Sequence, residues 1–158
     1  MRAFTLSTVL FFTPCLALAD GHADALDRME AGTEKMTDNL LDFYVARVPT
    51  LGETRPDMSW DTAFREAGQC ILDGIAADGG DAATATYLGA LENFAEAEIL
   101  NFTDMSTQMP DALATDVVLN LSSDCGMISL GTERMAESGL TEAFAQEGVM
   151  AAVLAPAQ

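Results

Sequence analysis

Apolar residues recur at steps of three and four along most of the chain, and proline and glycine divide that pattern into blocks. Over residues 25–48 the positions Leu26, Met29, Met36, Leu40, Phe43, Tyr44 and Val48 share one helical face, with Thr33 filling the gap between the methionines. Pro49 and Gly52 stop this first predicted helix. The segment PTLGETRPDMS reads as a loop, and Ser59 is the expected N-cap of a second helix. That helix carries Trp60, Phe64, Ala67, Ile71 and Ile75 on one stripe, with Cys70 at its edge. DGGD at 78–81 ends it, and Asp81 is placed to cap a third helix. There Leu88, Leu91, Ala95 and Ile99 face inward, flanked by Tyr87 and Phe94.

Residues 101–111 break the periodicity. Pro110 then suits the first turn of a fourth helix, whose stripe is Leu113, Val117, Leu121, Cys125, Ile128, Thr132 and Met135, with a kink expected at SSDCG. Gly139 reads as its C-terminal glycine. Thr141 is the expected cap of a last helix bearing Phe144, Met150 and Val153, before an APAQ tail. No stretch of four or more residues alternates as a strand would. The expected fold is an all-α bundle of four to five helices.

The first 19 residues stand apart. Arg2 precedes an apolar run over residues 3–12, Pro14 closes that run, and Ala17, Leu18 and Ala19 form an A-x-A pattern. This is the layout of a secretory signal peptide, too short and too interrupted to serve as a bilayer span. Cleavage after Ala19 leaves a single helical domain, 20–158, in the periplasm or outside the cell, with no membrane attachment. With Arg2 removed, six basic residues face 25 acidic ones, a net charge of −19. Such a surface repels nucleic-acid phosphate and anionic lipid. A basic protein partner or a cation is compatible with it.

Export changes the reading of the cysteines. Cys15 leaves with the signal peptide, and the even pair Cys70 and Cys125 is expected to form a disulfide in an oxidising compartment; the alternative is two buried thiols. The bond would close a loop of about 55 residues, a constraint of roughly 4 kcal/mol. It would staple the second and fourth helices face to face through their inward stripes.

Candidate chemistry is sparse. His22 is the sole histidine, so no Ser/His or Cys/His nucleophile system and no histidine-rich zinc site can be assembled. Phosphate-binding and nucleophile-elbow motifs are missing from the sequence, and DGGD lacks the spacing of a calcium loop. Glu92 and Glu96 share a helix face with Glu98 close by, the pattern a cell-wall hydrolase would need for a carboxylic acid; a solvated acidic face is the favoured reading, since so acidic a composition produces such clusters by itself. Cleavage after Ala19 would make Asp20, Gly21 and His22 a free terminus, whose amine, amides and imidazole can wrap Cu(II) or Ni(II) in a plane. Met105 and Met109 could add a Cu(I) site, while Met29, Met36, Met127, Met135 and Met150 read as packing residues. The acceptor patterns at Asn101 and Asn120 carry no weight, because the signal peptide does not reveal whether the cell glycosylates. The sequence therefore favours an exported, non-enzymatic protein without a resident cofactor, binding a partner protein, an envelope component or a small ligand.

Overall fold

The chain reverses direction at Gly80, and this one residue shapes the molecule. A computed structural model of the full chain describes residues 17–99 and 107–155, apart from the side chains of 17–22. Helix α1 runs Ala17–Arg47, a 3-10 turn follows at Pro49–Thr54, and α2 spans Thr62–Ala95. Within α2, Gly80 has φ 69° and ψ −169°, a conformation open in practice only to glycine. The turn is tight, since a Cβ on Gly79 would lie 2.6 Å from that of Ala83. Contacts with α1 give the directions of the two segments. Gly68 and Arg65 meet Leu26 and Asp27, and Trp60 meets Glu34, so α1 runs antiparallel to 62–79. Arg28 meets Glu92 and Lys35 meets Glu96, so α1 runs parallel to 81–95.

The remaining elements are short. A 3-10 turn at Asp111–Leu113 leads into α3 (Asp116–Asp124), α4 (Met127–Glu137), α5 (Leu140–Phe144) and α6 (Val149–Leu154). Every regular element among the described residues is helical, as the apolar spacing predicts. Two apolar clusters hold them together. The first joins Met29 of α1, Ile71, Leu72, Ile75, Leu88 and Leu91 of α2, and Val118 of α3. The second joins Leu41 and Phe43 of α1, Leu51 of the 3-10 turn, Leu140 and Ala143 of α5, and Val153 of α6. Tyr44 and Phe144 meet edge to face at 5.0 Å beside it.

Several expectations require correction. Asp61, not Ser59, caps α2 by accepting from the Phe64 amide at 3.0 Å, while the Ser59 hydroxyl turns to Asp57 at 2.6 Å. Trp60 consequently precedes the helix, and its ring covers Gly68, where a Cβ would sit 2.5 Å from it. The single kinked fourth helix is three elements. Thr115 caps α3, and Gly126 at φ 82° ends the run before α4 begins. Pro110 precedes the short 3-10 turn and not an α-helix. The last helix is likewise two, because Gly139 and Gly148 adopt positive φ before α5 and α6; Gly139 starts α5 where Thr141 is the expected cap.

The disulfide is present. Cys70 and Cys125 are joined with their Cα atoms 5.8 Å apart, linking α2 to the residue that closes α3. It does not lie in the core as the stripes predict. Cys70 is exposed and Cys125 half-buried, so the bond clamps the rim of the helix pair.

Candidate functional site

Glu92 accepts from Arg28 in bidentate fashion, Nε to Oε1 at 2.7 Å and Nη2 to Oε2 at 3.0 Å. The guanidinium hydrogen bonds hold the Glu92 carboxyl below its ordinary range, outweighing a modest desolvation. A glycosidase acid requires the reverse, a carboxyl kept protonated by burial. Glu96 is exposed and takes Lys35, and Glu98 is exposed at an open surface trough of about 510 Å³ with Asn39 and Ile99. Asn39 closes the floor by donating to the Ala95 carbonyl at 2.8 Å. This seam between α1 and the end of α2 fastens the fold.

The other basic side chains are used in the same way. Arg55 bridges Asp38 and Asp42, and Arg65 bridges Asp27 and Glu30. Arg47 donates to the Ala155 carbonyl at 2.5 Å and lies over Phe43. Arg134 binds the Asp57 and Ser59 carbonyls and the Asp61 carboxylate, stacked on Phe64. All six basic residues among those described therefore tie one element to another, and the outward-facing charge is overwhelmingly carboxylate.

Asp20, Gly21 and His22 have helical backbone within α1 of the uncleaved chain, and their side chains lie outside the described residues. Met105 is also outside them, and Met109 is exposed. Among the described residues no group of three or more His, Cys, Asp or Glu is placed to hold a metal ion.

One concave feature is built differently. Between α2 and the start of α3 lies a groove of about 370 Å³, within the size range of small-ligand sites. Ile75 comes from the segment before Gly80, Ala83 and Tyr87 from the segment after it, and Val117 and Val118 from α3. The reversal at Gly80 brings the first two walls together on one stretch of chain. Alanines at 82, 83 and 112 leave the volume that larger side chains would fill.

Its polar groups are few. Thr86 donates to the Ala82 carbonyl at 2.8 Å, and Thr115 accepts from the Val118 amide at 3.2 Å, so both hydroxyls are engaged. Tyr87 is 8% exposed, yet its hydroxyl takes no hydrogen-bond partner among the described residues. No side-chain polar atom among the described residues is sealed in without a partner, so that oxygen is reached by solvent, and Tyr87 is one of the residues lining the groove. Burial pushes the phenol up to about 12, which keeps it protonated as a donor at all ordinary pH values. Asp78 is the acidic residue of the lining.

Sequence reasoning places Tyr87 only beside an apolar stripe. The signal that could have singled it out is a tyrosine in a position where phenylalanine would pack as well, since buried tyrosine hydroxyls usually have a partner. No family model, no curated protein and no solved structure matches the chain.

Proposed function

We propose that the protein is exported and non-enzymatic, and that it holds a small, mainly apolar ligand in the groove between α2 and α3. The observation that carries this reading is an apolar-walled groove whose lining includes Tyr87, a residue 8% exposed with no hydrogen-bond partner for its accessible hydroxyl among the described residues. A guest entering the groove can accept from this hydroxyl in place of water while its apolar body lies against the walls. Export is supported by the signal-like residues 1–19 and by the Cys70–Cys125 bond, which belongs in an oxidising compartment such as the periplasm. A partner protein or envelope component would instead use a surface patch; the exposed large apolar residues are Met109, Leu119, Ile128, Met150 and Leu154, of which only Met150 and Leu154 share a helix.

The neutral dye N-phenyl-1-naphthylamine tests the reading. Disulfide-intact protein should bind it saturably, with one site per chain. Ala112→Phe, which fills the groove from a half-buried position, should abolish binding without lowering the unfolding temperature by more than a few degrees. Saturable binding that is indifferent to Ala112→Phe would move the site elsewhere and defeat the proposal.

A further inference from the structure

The groove is asymmetric in charge as well as apolar. Asp78 stands at its edge, and among the described residues no lysine, arginine or histidine lines it. The six described basic side chains are committed elsewhere, four of them in the α1 seams and Arg134 across the loop before α2. Asp78 also sits where the segment 62–79 ends, so the negative end of that helix dipole lies beside its carboxylate. The opposite influence, the positive N-terminus of α3, is already answered by the Thr115 cap and by Asp116 in the first turn. The molecule as a whole carries a formal charge of −18, which concentrates cations near such a cleft and keeps anions away.

We propose that the groove selects a cationic amphiphile, an amine on a short alkyl or aryl body. The apolar part lies against Ile75, Ala83, Val117 and Val118, the ammonium faces Asp78, and the Tyr87 hydroxyl supplies the hydrogen bond that fixes depth. This rests on the ligand-binding reading above and narrows it to one charge class. Fatty acids and other anionic amphiphiles, which would fit the apolar walls equally well, are disfavoured by the Asp78 carboxylate and by the lack of a cation to receive them.

The test compares three probes with the same chain, n-octylamine, 1-octanol and octanoate, each below its micellar concentration, displacing N-phenyl-1-naphthylamine from the disulfide-intact full chain. Octylamine should bind at least tenfold tighter than octanol, and octanoate weakest. Asp78→Asn, an exposed substitution, should remove most of the preference for octylamine over octanol. An amine preference that survives Asp78→Asn would assign it to the diffuse acidic field and overturn the proposed contact. Equal binding of amine and alcohol would overturn the cation selectivity while the ligand site stands. Failure of all three probes and of the dye would remove both.

Discussion

Gly74 of α2 lies directly against Leu121 of α3, one helical turn from Cys70 on the first helix and one turn from Cys125 on the second. A Cβ at position 74 would stand 2.4 Å from the Leu121 Cδ2 atom. Cys70 with Cys125 and Gly74 with Leu121 fix the register, and the two helices run antiparallel. Ile75 and Val118 continue the same ladder into the groove. Gly74→Ala should therefore cost about 1–2 kcal/mol despite the gain in helix propensity, because Leu121 must leave its rotamer. Urea denaturation checks the value, and the disulfide should still form quantitatively.

Reduction of the disulfide should cost roughly 4 kcal/mol, as expected for a closed loop of 55 residues. Because Cys70 is exposed, a small dithiol reaches it without global unfolding. Reduction rates followed by mass-tagging should thus stay flat through low urea concentrations, while Cys70→Ser with Cys125→Ser unfolds at markedly lower urea. A reduction rate that tracks global unfolding would contradict the rim position.

Tyr87→Phe separates binding from stability. The hydroxyl makes no hydrogen bond among the described residues, so its removal should change unfolding free energy by no more than about 0.5 kcal/mol. N-phenyl-1-naphthylamine affinity should fall about threefold to tenfold, the value of one hydrogen bond. A large loss of stability with unchanged dye binding would assign the residue to packing alone.

The same phenol sets an alkaline limit. Its folded value, about 12, lies above the ordinary 10.0, so the folded state holds the proton more tightly than the unfolded chain. The corresponding stability is fully present below pH 10 and is lost as the pH rises to 12, amounting to about 2–3 kcal/mol. Burial raises Tyr44 as well, in the same sense. Thermal unfolding from pH 9 to 12 should show a steep decline, shallower in Tyr87→Phe.

Arg134 is the strongest of the cationic ties. Its side chain is 20% exposed and donates to two carbonyls and the Asp61 carboxylate while stacking 4.7 Å from the centre of the Phe64 ring. Arg134→Ala should cost about 2–3 kcal/mol, and Arg134→Lys should recover little, since an ammonium cannot reproduce the planar fork. By contrast Arg28→Ala should cost about 0.5 kcal/mol, because that pair is solvated on both sides.

The long helices were legible because their apolar stripes persist over many turns, as with Met29, Phe43, Ile71 and Leu88. The glycine break at 80 was legible from DGGD. The C-terminal third was not. From Pro110 onward, stripe positions such as Ile128 and Met150 belong to helices of one to three turns and remain exposed, while Leu140, unmarked by any pattern, is buried. In such short elements the glycines at 126, 139 and 148 outweigh periodicity. The groove could not be read from sequence at all, because its walls meet only through the reversal of α2 and the return of α3. Tyr87 and Asp78 are unremarkable until those surfaces face each other.

The hairpin at Gly80 has an evolutionary side. Ile75 on one wall and Tyr87 on the other are separated by only twelve positions, with two glycines between them. Lengthening or shortening the chain by one residue at that bend would widen or narrow the cleft while leaving each lining residue intact. A single insertion or deletion there would therefore reset the girth of guest the cleft admits, at the expense of the contacts that hold both walls against α1.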